Sequence, residues 1–157
     1  MPKPILKDND LVPMIKDSIN LINEIDTNIL INFITNTNKV IFNSDNEQLS
    51  RVFLNLLKNS MESIQEKKLT NDDIKGNIDV YLNDNTYDIN FIIVDNGLGF
   101  GILKNNIKDV LNPYFTTKKQ GTGLGLAIVN KIINDHNGSI EFIEIKNGAK
   151  IQINFTK

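Results

Sequence analysis

The chain has 157 residues, 40% of them hydrophobic and 23% charged, with a formal net charge of −2. That is enough for one domain burying roughly two-thirds of its unfolded surface, and acids and bases are too interspersed for a broad nucleic-acid footprint. Cysteine is absent, which removes disulfides, thiolate catalysis and cysteine-based zinc sites together. No apolar run approaches the roughly 20 residues of a membrane span and no signal peptide is visible, so a soluble, cytoplasmic piece without membrane contact is expected.

Met1-Pro-Lys-Pro-Ile-Leu6 favours an extended strand or linker, since two prolines oppose a helix. It reads either as a frayed natural N-terminus or as a linker out of a longer protein. Residues 11–25 place Ile15, Ile19, Ile22 and Ile25 at helical spacing, with Leu11 and Leu21 nearby, which predicts an amphipathic helix. Residues 29–34 alternate and are rich in branched side chains, predicting a strand. A second short strand is expected at 40–42, after the turn-like Thr35-Asn-Thr-Asn-Lys39.

Residues 44–65 carry the strongest helical pattern. Ser44 or Asp45 can cap it, with Glu47 or Gln48 three residues on, as a capping box requires. Leu49, Val52, Phe53, Leu56, Leu57, Met61 and Ile64 form one apolar stripe, and Asn55, Asn59 and Glu62 fall together on its flank. About one residue in six is Asn, far above ordinary usage, so two on a helix prove little by their presence. Their placement says more, because Asn is a poor mid-helix residue and a partly buried amide needs a partner.

Residues 67–76 read as a polar loop, and 77–82 with 87–94 as a hairpin turned at 83–86. The second of these strands is nearly all apolar and stops at Asp95-Asn-Gly-Leu-Gly99. A carboxylate there can read a ligand edge-on, or simply form an Asx-turn that ends the strand. A short helix within a mobile segment is expected over 100–111.

Gly121, Gly123 and Gly125 then run directly into an apolar helix over 124–133. Glycines leave backbone N–H groups uncovered, and a helix start adds unpaired donors and partial positive charge. With Lys118 and Lys119 just upstream, this suits an anion-binding loop with a lid, although a flexible loop capping a core helix has the same composition. It is neither a Walker loop, which needs Lys and Ser or Thr where Leu124 and Leu126 stand, nor a dinucleotide fingerprint, which needs its third glycine at Leu126. The helix is expected to stop at a left-handed cap at Asn137-Gly138, and 140–145 with 150–155 make a closing hairpin around 146–149. The only histidine, His136, lies before that cap and reads as a surface residue near a helix C-terminus rather than a phosphoacceptor. Two helices laid over four to six mostly antiparallel strands give a two-layer α/β sandwich.

Four segments together resemble the ATP-binding catalytic domain of two-component sensor histidine kinases, the Bergerat fold shared with gyrase, Hsp90 and MutL. Asn55-Leu-Leu-Lys-Asn59-Ser60 resembles the N box and Asp95-Asn-Gly97-Leu-Gly99 the first glycine box. Tyr114-Phe115-Thr116-Thr117-Lys118 resembles the F box, and Gly121-Thr122-Gly123-Leu124-Gly125 the second glycine box. The resemblance covers 11–157 and is nearest to nitrogen-regulation kinases of the NtrY type. It implies a mixed, mostly antiparallel sheet covered on one face by helices, with a mobile ATP lid. Residues 1–10 would be a linker from an absent dimerisation domain.

By the same resemblance, Asp95 accepts from the adenine amino group and Gly97 and Gly99 let the backbone approach the base and ribose. Asn59 and Asn55 hold Mg²⁺, the segment from Thr116 through Gly125 lines the phosphates, Lys118 reaches the γ-phosphate and Phe115 anchors the lid. Many sensor kinases have Lys where Glu62 stands, so Lys118 would neutralise more of the phosphate charge. Hydrolytic relatives have Glu where Asn55 stands; an amide cannot activate water. The implied function is therefore transfer of the ATP γ-phosphoryl to a histidine on a separate dimerisation domain, and signalling onward to a response regulator. The parent could be anchored in the inner membrane. The alternatives are a stand-alone serine kinase of the anti-sigma-factor type, or a non-catalytic nucleotide-sensing scaffold.

Overall fold

A computed structural model describes residues 2–99 and 125–157. Its elements, in chain order, are β1 (Lys7–Asp10), α1 (Leu11–Ile25), β2 (Leu30–Thr35), β3 (Ile41–Ser44), α2 (Asn46–Thr70), β4 (Asn77–Asp84), β5 (Asp88–Asp95), α3 (Gly125–Asp135), β6 (Gly138–Ile145) and β7 (Gly148–Thr156). The main sheet has the order β2-β4-β5-β7-β6; β2 runs parallel to β4 and the other pairs are antiparallel. β1 and β3 form a separate two-stranded ribbon.

Strand alternation builds the two-layer sandwich. Ile78, Val80 and Leu82 of β4, Ile89, Phe91 and Ile93 of β5, and Ile151, Ile153 and Phe155 of β7 all point to one side, where they meet the buried stripes of α1, α2 and α3. Phe53 of α2 packs on Phe91 with ring centroids 4.5 Å apart. The other face is mixed, and part of the asparagine excess is used there: Asn32 donates to Asp79 at 2.9 Å, and Asn90 donates to Asn154 across the β5–β7 pair. Three helices cover the sheet among the described residues, each where the sequence pattern marked one, rather than the two that the expected sandwich laid over it.

The capping expectation resolves onto Asp45, whose carboxylate accepts from the amide of Gln48 at 3.0 Å. A second bond, from the amide of Ile5 at 2.8 Å, ties the N-terminal segment to the same carboxylate. These two amides, Gln48 first, hold Asp45 below the ordinary carboxylate range. Gln48 also donates to the carbonyl of Pro2, so the segment ahead of β1 lies docked along the start of α2.

Two expectations are corrected. α2 does not end at Gln65 but runs 25 residues to Thr70, with Lys67 and Lys68 in its last turn where cations suit the helix dipole. His136 is not on the surface. It is 3% exposed, its Nε2 accepts from the amide of Asp45 at 3.0 Å, and its Nδ1 bonds to the carbonyl of Ile132 at 2.7 Å. With Nε2 accepting, Nδ1 is the nitrogen that donates to Ile132. The imidazole joins the end of α3 to the start of α2, a use that no local spacing reveals. The left-handed cap falls on Asn137 (φ 57°), while Gly138 is required because a Cβ there would meet Ile133 and Phe155 within 3.0 Å.

His136→Ala removes both bonds, taking one partner from the part-buried amide of Asp45 and one from the carbonyl of Ile132. It is expected to destabilise the domain by about 2–4 kcal/mol. Thermal unfolding should show a drop in Tm of roughly 5–12 °C; an unchanged Tm would contradict the bridging role.

Candidate functional site

The inward alternation of β5 does not stop with its apolar residues. Asp95 occupies the next position facing the helices after Ile89, Phe91 and Ile93, and is 6% exposed. The sequence thus puts a carboxylate where the core would otherwise continue, at the sheet end where α2 passes over. Asp95 Oδ1 accepts from the amide of Gly97 at 2.9 Å. Burial pushes the Asp95 carboxyl above its ordinary range. The Gly97 amide, the Ser60 hydroxyl, the Ala149 amide and the charge of Lys67 pull it back without offsetting the burial. The Asx-turn expected as the alternative is present, and it is part of how the carboxylate is held.

The turn after Asp95 lies directly against α2. A Cβ at Gly97 would stand 2.4 Å from Ser63 Oγ and 2.9 Å from the amide nitrogen of Ile64, so only glycine allows this approach. Gly99 has φ +74°, and a Cβ there would lie 2.6 Å from the carbonyl oxygen of Gly148. On the far side, Asn96 donates to the Lys75 carbonyl at 2.7 Å and accepts from the Asn77 amide at 2.8 Å.

Asn55 and Asn59 stand one turn apart on α2, half-buried, and Asn59 Nδ2 donates to Asn55 Oδ1 at 3.1 Å. That bond uses the nitrogen of Asn59, so the Asn59 oxygen is not the group engaged in it. Ser60, the next residue, faces Asp95. At the other end of the pair, a Cβ on Gly125 would meet the Asn55 amide at 3.1 Å, so the start of α3 rests on Asn55.

Asp95, Gly97, Asn59, Asn55 and Gly125 are thereby brought together along one flank of α2, with Gly99 at the rim. Phe115, Thr116, Thr117, Lys118, Gly121, Thr122, Gly123 and Leu124 lie outside the described residues, as does the short helix expected over 100–111. Sequence reading assigned no role to Ser60, Ser63, Lys67 and Asn96, although Ser60 and Asn96 lie within the segments that resemble the N box and the first glycine box. For the three on α2 the only signal was the spacing of polar residues along the flank that already carried Asn59, and it was obscured by assigning Lys67 to a loop.

The family described as histidine kinase-, DNA gyrase B- and HSP90-like ATPase matches residues 44–157. The chain belongs to this family. A protein of Rickettsia bellii named as an NtrY-like sensor histidine kinase is 33% identical over 156 residues, covering 99% of this chain and 24% of its own length. The nitrogen regulation protein NtrY of Azorhizobium caulinodans is 32% identical over 168 residues, covering 99% of this chain and 20% of its own. Among solved structures, the catalytic domain of histidine kinase ThkA superposes with a TM-score of 0.82 at 27% identity, covering 98% of this chain and 96% of that one. ThkA has also been solved in complex with the response regulator protein TrrA. The chain's likeness is to histidine kinase catalytic domains, and the chain spans about a fifth to a quarter of the length of the NtrY-type relatives it matches. No helix among the described residues is long and apolar enough to cross a membrane.

The site fits a nucleotide. A carboxylate offers about four acceptor positions. Three protein donors face Asp95, which leaves room for one further N–H. Mg²⁺ fits less as a protein-caged ion than as part of the nucleotide: among the described residues no cluster of three or more His, Cys, Asp or Glu could hold a metal, whereas Asn59 and Asn55 offer hard amide oxygens at the flank where phosphates would lie. Mg²⁺ is commonly held this way, by one or two protein oxygens plus phosphates and water.

Proposed function

We propose that this chain is the catalytic module of a sensor kinase that transfers the ATP γ-phosphoryl group to a histidine on a dimerisation domain, from which a response regulator takes it. The observation that carries the proposal is the inward-facing, buried Asp95 next to Ser60 and the Asn55–Asn59 pair. Asp95 accepts from the adenine amino group, and its burial gives specificity because an unpaired carboxylate there is costly. Gly97 and Gly99 allow the base and ribose to approach the backbone.

Asn59, held by Asn55, would offer its amide oxygen to Mg²⁺ on the nucleotide. Mg²⁺, when bound, neutralises charge on the phosphate oxygens. Gly121, Gly123 and Gly125 would receive the phosphates together with Thr116, Thr117, Thr122 and Leu124, as their likeness to the F box and second glycine box implies. Lys118 reaches the γ-phosphate, and Phe115 anchors the segment. In the transfer, the acceptor nitrogen attacks the γ-phosphorus, the bond to the bridging oxygen breaks, and ADP leaves with its electron pair. Asn55 is an amide and cannot serve as a base for water, which favours transfer over hydrolysis.

Residues 1–10 would enter from the dimerisation domain and dock on α2 through Pro2 and Ile5. ThkA in complex with TrrA supports the response-regulator partner. The test is incubation with γ-labelled ATP, Mg²⁺ and a histidine-bearing helical hairpin of an NtrY-type kinase. Acid-labile, base-stable label on the hairpin is expected. Label appearing only on serine would overturn the reading in favour of an anti-sigma-type kinase, and no label, with ATP bound, would favour a nucleotide-sensing scaffold.

A further inference from the structure

The last three turns of α2 carry a polar line that the proposed chemistry does not use. Ser60 faces the Asp95 carboxylate, Ser63 Oγ accepts from the amide of Leu98 at 2.9 Å, and Lys67 Nζ donates to the carbonyls of Asn96 at 3.0 Å and Gly97 at 3.1 Å. At spacings of three and four residues these side chains share one face. A lysine in the last turn of a helix ordinarily sits over its own helix carbonyls. Here the carbonyl of Lys67 is met by the amide of Asn71 and the hydroxyl of Thr70, while its ammonium crosses to the neighbouring turn.

The two carbonyls that Lys67 takes belong to consecutive peptide units. The unit between Asn96 and Gly97 has its oxygen on Lys67 and its N–H on Asp95 Oδ1. The next unit, between Gly97 and Leu98, has its oxygen on Lys67 and its N–H on Ser63. One ammonium therefore aligns two peptide dipoles, with one N–H end on the Asp95 carboxylate. Hydrogen bonds in series through a peptide polarise one another, and a cation at the carbonyl end strengthens donation at the N–H end. Asn96 straps the same turn to β4 from the opposite side, so the turn has little freedom except through Lys67 and Ser63.

We infer that Lys67 is a positioning residue for base recognition: through these two peptides it aims and steadies the Asp95 carboxylate, so that it selects a base carrying an exocyclic amino group. This rests on Asp95 being the group that reads adenine. Inosine triphosphate is the informative probe, because a carbonyl replaces the amino group while ribose and phosphates stay the same.

The experiment measures ATP and ITP affinity of the full chain by calorimetry with Mg²⁺, for the native protein, Lys67→Met and Lys67→Arg. The native protein is expected to prefer ATP. Lys67→Met should weaken ATP by about tenfold while barely changing ITP, since a single charge-assisted contact is lost at the base alone. Lys67→Arg, which restores charge and donors, should recover much of the preference. Lys67→Gln, which keeps one donor without the charge, serves the same comparison if the Met variant does not fold. Equal weakening of ATP and ITP would show a merely structural lysine, and an unchanged ATP preference would show that Lys67 plays no part; either overturns the inference. No preference in the native protein would instead overturn the assignment of Asp95 to adenine, and the inference with it.

Discussion

Asp95→Asn is expected to cost the chain its ATP affinity by about 100-fold or more, while its Tm stays within a few degrees of the native value. The substitution keeps the shape and removes the charge. Three protein donors face this side chain, and an amide has one acceptor oxygen and an NH₂ group that must then point at another donor. The adenine amino group, itself a donor, is left without a partner. Stability changes little, because relief of the buried, disfavoured charge offsets the protein donor that the amide leaves without an acceptor.

The pH dependence follows from the same disfavoured charge. A carboxyl whose folded pKa is raised binds its proton in the native state first. As pH falls from the raised value towards the ordinary 3.8, this group makes the native state relatively more stable. ATP binding moves the other way over that window, since a protonated Asp95 can no longer accept from the base at that oxygen. Loss of affinity accompanied by loss of the fold would contradict this account, as would calorimetry showing ATP affinity unchanged.

Asn59→Ala should be the other large effect, a loss of phosphoryl transfer of about 100-fold or more. ATP affinity measured with Mg²⁺ should fall to the value measured in EDTA, while the EDTA value itself barely changes. The helix should not suffer, because Ala is the better helix former by about 0.5 kcal/mol. Asn55 holds the Asn59 amide at 3.1 Å and supports Gly125 at the start of α3. Asn55→Ala should therefore act in the same direction through loosened placement. Equal losses for Asn59→Ala with and without Mg²⁺ would contradict a metal role.

Much of this was legible along the chain. Period-2 alternation in β4, β5 and β7 and the single apolar stripe of α2 dictate which faces meet, and those two patterns alone give the layered fold. Asn55, Asn59, Asp95 and the glycines announced themselves by being costly where they stand: amides inside a helix, a carboxylate ending an apolar strand. Other features carried no such local cost. Ser60, Ser63 and Lys67 are ordinary on a solvated helix flank, and they acquire meaning only when the turn after Asp95 lies against them. β1 pairs with β3 across an entire intervening helix, so its four residues show no pattern of their own. His136 was misjudged for the same reason: its acceptor bond reaches Asp45, 91 residues away.

The most direct measurement is a crystal structure grown with Mg²⁺ and a non-hydrolysable ATP analogue. The account predicts the adenine amino group within hydrogen-bond distance of Asp95 and the metal-bound phosphates beside Asn59, between α2 and the start of α3. A nucleotide seated elsewhere, or bound with its base away from Asp95, would contradict it.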